Sequence, residues 1–237
     1  MIITPRHTKV DLDLYREYEE MDRILKVPLK KIDRSLQVIK SWIAQHDDAV
    51  AFTSWGKDSV VLLHLLALLD AKIPVVYMLL TLSANPDCKL VRDAFLRKYP
   101  LNYHEFLYDE TKIGKHEEHW KMIADLYGYH RITGIRNDES GIRRMVFLMY
   151  REASIYSCRP LSIWNNADIF AYIEQNNLPL NPVYGYLGGG RWDRKHIRTH
   201  SLVGTVGDSF GRTEWEREYY PDMRNRILSG EHIGLNG

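Results

Sequence analysis

Cysteine is scarce in this sequence, with only Cys88 and Cys158 among 237 residues. No C-x-x-C pair occurs, which excludes a zinc ribbon and a four-cysteine iron–sulfur cluster held within one chain. So few cysteines are typical of a reducing compartment, although they leave room for one disulfide. We therefore expect a cytoplasmic protein without an iron–sulfur cluster.

Long apolar runs and an excess of one charge are missing as well. No stretch approaches the roughly 18–20 apolar residues that cross a bilayer. Residues 1–20, MIITPRHTKVDLDLYREYEE, lack the apolar core of a signal peptide. The 32 Lys and Arg nearly balance the 31 Asp and Glu, which argues against a surface that binds polyanions in bulk. We expect a soluble protein with no membrane partner.

Strand and helix patterns alternate along most of the chain. The continuous apolar run IPVVYMLLT at 73–81 suits a parallel strand that is covered on both faces. The alternation predicts an α/β fold with a doubly wound, mostly parallel sheet and helices on both faces. The predicted strands span 47–54, 73–81, 102–108 and 129–135, and the predicted helices span 9–26, 28–46, 60–70, 85–99, 115–127, 142–153 and 165–177.

The chain is expected to form a single domain over 1–237, because 45% hydrophobic residues suffice for one sizeable core. The predicted core covers about 28–183, and 184–237 forms an irregular C-terminal extension. Residues 184–213 are Gly-rich, basic and without periodicity, which predicts a mobile loop over the site or a poorly ordered surface segment. Two short helices, broken at Pro221, are predicted to follow.

The stretch 54–59, SWGKDS, lies between a predicted strand and a predicted helix. Ligands of parallel sheets bind at this end of the strands, and a helix start offers unpaired N–H groups to anions. Gly56 lets the backbone approach an anion, and Lys57 adds a positive charge. Asp58 can cap the helix or face a magnesium ion held by phosphates. The stretch therefore predicts a phosphate cradle, although Ala51 and Asp58 exclude a Walker A loop.

Two further stretches follow in the chain. Residues 133–140, TGIRNDES, come directly after a predicted strand and precede Arg143 and Arg144. Arginines at such an edge can bind phosphate or sulfate through two hydrogen bonds. Residues 159–184 begin with RPL and end with LPLNPVY. Between these two segments, Trp164, Asp168 and Tyr172 follow one another at intervals of four residues.

Together the three stretches resemble known signatures. The first is similar to the S-x-G-K-D-S signature of the PP-loop superfamily, the adenine nucleotide alpha-hydrolase-like proteins. The others resemble the G-x-R-x-x-E-S-x-x-R and R-P-L-x-x-W-x-x-x-D segments of the phosphoadenosine phosphosulfate (PAPS) reductase family within it. The resemblance spans about residues 30–185. It implies a Rossmann-like fold with a pocket for ATP or PAPS.

The resemblance also implies roles for individual residues. The catalytic residues would be Lys57, Asp58, Arg136 and Glu139, with Asp58 contacting magnesium through the phosphates. The nucleotide contacts would be Ser54, Trp55, Gly56, Lys57, Asp58, Ser59, Thr81, Gly134, Arg136, Arg143 and Arg144.

The sequence departs from this family at its end. PAPS reductases attack sulfur with a cysteine in an E-C-G-x-H-like tail, whereas the tail here, ILSGEHIGLNG, has none. Cys158 beside Arg159, or Cys88 in the first turn of a helix, could supply a thiol of lowered pKa. Buried packing is the more common role of a lone cysteine.

Three functions stay open. In the first, the protein uses ATP and magnesium as an ATP pyrophosphatase that forms AMP and activates an unknown acceptor. That acceptor is a small molecule, or tRNA or DNA contacted by the basic stretch 191–200. In the second, the protein is a sulfonucleotide reductase-like enzyme that acts on PAPS or APS with a non-standard or external thiol. In the third, it binds nucleotides without turnover. The resemblance also implies a possible homodimer.

Overall fold

The computed structural model describes residues 1–110, 116–203 and 209–230. These residues contain a six-stranded sheet. Its order is β3-β2-β1-β4-β6-β5, and all pairs are parallel except β5 with β6. The strands are β1 Ala49–Thr53, β2 Val75–Leu80, β3 Tyr103–Tyr108, β4 His130–Ile132, β5 Ala153–Ser154 and β6 Ser157–Cys158. The strand order reverses between β1 and β4, which creates a crevice at the carboxyl ends of these strands.

Helices connect and cover the strands. Over the same residues they are α1 Lys9–Ile24, α2 Leu29–Gln45, α3 Lys57–Leu68, α4 Asp87–Lys98, α5 His116–Tyr127, α6 Gly141–Tyr150, α7 Asn166–Gln175, α8 Arg212–Tyr219 and α9 Pro221–Ser229. Helix α3 is buried along most of its length, as expected for a helix that is apolar on all sides. At the start of α7, Asn165 and Asp168 form the reciprocal capping box that their spacing predicts. The predicted α/β fold with a mostly parallel sheet is confirmed.

Element boundaries differ from the prediction near the crevice. Helix α3 begins at Lys57 instead of residue 60, so the residues after Gly56 form its first turn. Strand β4 ends at Ile132, since the chain leaves the sheet there to form a loop. Helix α6 ends at Tyr150 because the β5–β6 hairpin follows it. This hairpin was not predicted, since strands of two residues carry no alternating pattern.

The C-terminal extension packs against the sheet. Tyr186, Leu187, Trp215 and Tyr220 are each at most 2% exposed and belong to the same hydrophobic core as β1 and α3. The expectation of a poorly ordered surface segment is therefore wrong for the described part of 184–213, whereas the mobility of this loop stays a prediction. Its irregular conformation is confirmed, because it is built from short 3₁₀ turns. No described helix has the length and apolar character needed to span a membrane.

A buried ion pair fixes the extension to α1. The Arg194 guanidinium donates two hydrogen bonds of 2.6 Å to the carboxylate of Asp22. It also lies over the rings of Tyr18 and Phe170, at 4.3 and 4.0 Å from their centres. Both charged side chains are less than 10% exposed. Each would be costly to bury without the other.

We expect Arg194→Met to lower the free energy of unfolding by about 3–5 kcal/mol, because it leaves the Asp22 carboxylate buried and unpaired. Urea titration measures this change. Lys195→Met is the matched control, since Lys195 pairs with Asp193 on the exposed side of the same segment, and it should change stability by about 0.5 kcal/mol or less. Equal effects of the two variants would contradict the role given to the buried pair.

Candidate nucleotide-binding site

A cleft of about 420 Å³ lies at the carboxyl ends of β1, β2 and β4, within the usual size range of small-molecule sites. One end is apolar and suits a planar base. The other end is polar and suits phosphates. The apolar end is lined by Phe52, Tyr77, Met78, Leu80 and Trp120. The polar end is lined by Ser54, Asp58, Ser59, Gly134, Glu139 and Arg143, together with Arg198, Thr199 and His200 from the extension.

Hydrogen bonds shape the loop between β1 and α3. The Ser59 hydroxyl donates to the Gly56 carbonyl at 3.0 Å and accepts from the Ser54 N–H at 3.2 Å. The Thr199 hydroxyl donates to the Ser54 carbonyl at 3.2 Å, and the Tyr184 hydroxyl accepts from the Lys57 N–H at 3.1 Å. The loop is thus held by its own first helical turn and by two residues of the C-terminal third of the chain.

The Asp58 carboxylate sits between two cations. Lys57 Nζ lies 2.9 Å from one oxygen, and Arg136 Nε lies 2.5 Å from the other. Burial alone would raise the pKa of Asp58, but the charges of Lys57 and Arg136 more than offset it and hold this pKa below its ordinary value. Asp58 is therefore ionised, and it links the loop before α3 to the loop after β4.

The loop after β4 carries a second charged cluster. Arg136 also pairs with Asp138 and donates to the Asn166 side chain at 3.1 Å. Glu139 is paired with Arg143 and lies 3.6 Å from Arg136 and 3.9 Å from Arg198. The side chains of Arg143 and Arg198 are 36% and 52% exposed and line the cleft. They are cations that a phosphate in the cleft can reach.

Comparison with known proteins identifies the family. The sequence model of the phosphoadenosine phosphosulfate reductase domain matches residues 48–187, which is more than half of the chain. The chain belongs to this family.

Curated relatives carry the same family name. The phosphoadenosine 5'-phosphosulfate reductase of Xanthomonas oryzae pv. oryzae (strain PXO99A) is 25% identical over 209 residues, with 78% of each chain covered. The enzyme of that name from Escherichia coli O157:H7 is 22% identical over 237 residues, with 88% of this chain and 91% of the relative covered. The predicted family resemblance is therefore confirmed.

Solved structures show the same fold. The PAPS reductase of Candida auris, a phosphate complex, superposes with a TM-score of 0.53 at 16% identity, covering 77% of this chain and 99% of that one. The FMN adenylyltransferase of Candida glabrata in complex with ATP superposes with a TM-score of 0.53 at 15% identity, covering 76% and 70%. At such identities the likeness concerns the fold alone.

Several residues predicted from the family motifs do not face the cleft. Lys57 and Arg136 are 5% and 1% exposed, point at the Asp58 carboxylate and do not line the cleft, so they position this carboxylate. Their catalytic role stays a prediction. Trp55 is fully buried, and its indole N–H lies 3.3 Å from the Tyr103 hydroxyl in the core. Arg144 is exposed outside the cleft, because adjacent helical residues such as Arg143 and Arg144 point in different directions.

Gly56 and Thr81 also lie outside the cleft lining. Gly56 is covered, since a Cβ there would lie 2.8 Å from the Thr199 hydroxyl and 3.1 Å from the Tyr184 hydroxyl. Thr81 follows β2, and its buried hydroxyl has no hydrogen-bond partner within the described chain. The motif patterns identified loops that line the cleft, but they did not show which side chains point into it.

The basic stretch 191–200 is predicted only as a whole, as a contact for tRNA or DNA, and no sequence pattern singles out Arg198, Thr199 and His200 within it. They belong to the basic stretch 191–200, which has no periodicity to orient it. The only available signal was its charge. Most of that charge is used internally: Arg191 pairs with Glu214 and Glu218, Arg194 with Asp22, and Lys195 with Asp193.

Both cysteines are free and buried. Cys88 is 2% exposed, and Cys158 is fully buried. Burial raises the pKa of each thiol to about 12, so neither forms a thiolate near neutral pH. These positions fit packing roles, and no disulfide joins the two residues.

The residues around Asp58 do not fit a protein-held metal ion. Each Asp58 oxygen is already next to a cation. Nowhere in the described ranges do three or more His, Cys, Asp or Glu side chains come together as metal ligands. The predicted contact of Asp58 with a magnesium ion held by phosphates stays a prediction, since a carboxylate oxygen that pairs with one cation can accept a further contact.

We expect Gly56→Ala to destabilise the protein by about 1–3 kcal/mol, because its methyl group would press against Thr199 and Tyr184 in a packed loop. The matched control is Gly141→Ala at the start of α6, where no atom lies within 4 Å of an added Cβ. The control should be neutral or slightly stabilising. Urea unfolding of both variants measures the difference, and indistinguishable curves would show that the loop is not tightly covered.

Proposed function

We propose that the protein binds ATP in this cleft and cleaves it at the alpha-phosphate, transferring the adenylyl group to an acceptor and releasing pyrophosphate. The observation that carries the proposal is the difference between the accessible arginines of the cleft and the inaccessible cysteines. The cleft combines a phosphate-sized polar end with accessible arginines, while both thiols of the sequence are buried and protonated. Adenylyl transfer needs phosphate-binding cations but no cysteine.

The proposed reaction is a displacement at phosphorus. An oxygen or nitrogen of the acceptor forms a bond to the alpha-phosphorus, and the bond from that phosphorus to the bridging oxygen breaks. Pyrophosphate leaves with the electron pair. Arg143, which lines the polar end, would stabilise the negative charge that shifts onto the leaving group. ATP would carry magnesium on its own phosphates, and no protein ligand to that ion is assigned.

His200 is the candidate acceptor of the proton. Its Nδ1 lies 3.2 Å from the Ser201 carbonyl, which can only accept, so Nδ1 carries the hydrogen and Nε2 presents its lone pair. Burial and the neighbouring charges of Arg212 and Arg198 lower the pKa of His200 below its ordinary value, against a smaller opposing effect of Glu216. The imidazole is therefore neutral at pH 7 and lines the cleft.

A sulfonucleotide reductase-like activity on PAPS is the second candidate. The names of the curated relatives favour it. Because both thiols are buried, the attacking thiol would have to come from another molecule. A third candidate, nucleotide binding without turnover, requires the same cleft and differs only in the absence of products.

Other properties follow from the same observations. The two free cysteines suit a reducing, cytoplasmic setting. A small-molecule acceptor is favoured over tRNA or DNA, because Arg191, Arg194 and Lys195 are engaged in internal ion pairs.

We treat the chain as one domain, since its extension shares the main core. A homodimer stays a prediction, and the exposed apolar side chains of α6 offer a surface for it.

Incubation with alpha-labelled ATP and magnesium, with cell extract as the acceptor source, should yield AMP or an adenylylated product together with pyrophosphate. The double variant Cys88→Ala/Cys158→Ala should form these products at the wild-type rate, provided that circular dichroism shows it folded. Loss of the reaction in a folded double variant would contradict adenylyl transfer. Reduction of PAPS with an added thiol, and no AMP from ATP, would establish the second candidate.

We expect Arg143→Gln to weaken ATP binding by about ten-fold, since a hydrogen-bonded charge pair contributes about 1.5–3 kcal/mol. Arg144→Gln removes the same charge from the neighbouring position outside the cleft and should leave affinity unchanged. Isothermal titration calorimetry measures both. If the two variants lose equal affinity, the effect is long-range electrostatics and the placement of the phosphates beside Arg143 is wrong.

A further inference from the structure

A second cavity, of about 670 Å³, adjoins the nucleotide cleft. It lies between the start of α6, the stretch 191–200 and α8. The two cavities share one wall, formed by Glu139, Arg143, Arg198 and His200. A molecule in the second cavity would therefore lie beside the phosphates of a nucleotide in the first.

The far wall of this cavity is aromatic. Trp192 and Trp215 contribute to it, and the rings of His196 and Phe210 stack 4.1 Å apart and nearly parallel. Two guanidinium groups lie over the indoles, with Arg191 at 4.3 Å from the Trp192 ring centre and Arg212 at 4.4 Å from that of Trp215. Such planar groups favour contact with a planar ligand.

The charges of the two walls differ. On the far wall, Arg191 is paired with Glu214 and Glu218, and Arg212 with Glu216. These cations are neutralised within the protein.

The shared wall carries excess positive charge. Arg143 and Arg198 stand beside Glu139, which is the carboxylate of this wall, so the wall has two guanidinium groups for one carboxylate. Glu139 also lies 3.6 Å from the buried Arg136. Burial and the charge of Arg198 lower the pKa of Arg143, as expected for guanidinium groups that lack a full complement of anions. An anionic ligand group placed beside Arg198 would relieve this repulsion.

We propose that the second cavity binds the acceptor, and that the acceptor is a small planar aromatic molecule bearing an anionic group. The ring would lie against the aromatic far wall, with its anionic group at the shared wall beside Arg198, whereas Arg143 would contact the nucleotide phosphates. The identification of the ligand as the acceptor rests on the proposed function, whereas the position of the binding site and the class of its ligand rest on the residues of the two walls alone. A nucleic-acid strand fits less well, because the basic residues nearby are largely paired.

The test uses calorimetry on the full chain with naphthyl phosphate as the probe, with and without saturating α,β-methylene-ATP. We expect one binding site in both cases, since the two ligands would occupy different cavities. Naphthol, which lacks the anion, and inorganic phosphate, which lacks the ring, should each bind at least about ten-fold more weakly.

Matched variants locate the probe. Arg198→Gln should weaken naphthyl phosphate by about ten-fold, and His196→Ala by about five-fold through loss of the ring contact. Lys195→Gln, which removes a charge from the same stretch outside the cavity, should have no effect. His196→Ala should not change the affinity for α,β-methylene-ATP.

Several results would overturn the inference. They are absence of probe binding at millimolar concentration, displacement of the probe by α,β-methylene-ATP, equal affinities in Arg198→Gln and Lys195→Gln, and displacement by a short single-stranded oligonucleotide. If the proposed function is wrong but the second cavity binds its ligand, the binding and product measurements give a different combination of results. Probe binding would then persist in the second cavity, while alpha-labelled ATP yields no AMP.

Discussion

The Asp58 carboxylate, held between Lys57 and Arg136, is the contact on which the candidate site depends. It joins the first turn of α3 to the loop after β4, so it spans the crevice where the strand order reverses. Through Arg136 the link continues to Asn166 at the start of α7. Removing one partner of such a buried pair typically costs about 3–5 kcal/mol, because the remaining charge has no water to solvate it. The loops of the cleft are therefore fixed before any nucleotide arrives.

This arrangement separates two kinds of cation. Lys57 and Arg136 are buried and determine where Asp58 and the loops lie. Arg143 and Arg198 are partly exposed and share Glu139 as a counter-ion, so their side chains can turn to a phosphate at small cost. Electrostatic stabilisation is most effective where the surrounding groups are already fixed, and here Lys57 and Arg136 fix the loops on which the cleft is built. The structure thus separates buried charged residues that position the loops from partly exposed ones that line the cleft.

The fold was predictable because its signals are local. Apolar runs gave β1 to β4, and the Asn165–Asp168 spacing gave the start of α7. The direction of Lys57 was not predictable, since at a helix start it depends on partners such as Asp58 and the ring of Tyr184, which lies 127 residues away in sequence. The ordered packing of the C-terminal extension was equally unpredictable from the sequence. It depends on the Asp22–Arg194 pair and on aromatic contacts, which connect distant residues and leave no periodic pattern.

The two halves of the cleft come from different parts of the chain. The edge of the sheet supplies Ser54, Asp58 and Gly134, which line the cleft. The extension supplies Arg198 and His200, which also line the second cavity. Substitutions at Arg198 or His200 would therefore alter the lining of both cavities without removing a partner of the Asp58 contact. The loops of the sheet mark the family, whereas the activity has to be argued from the residues that line the cleft.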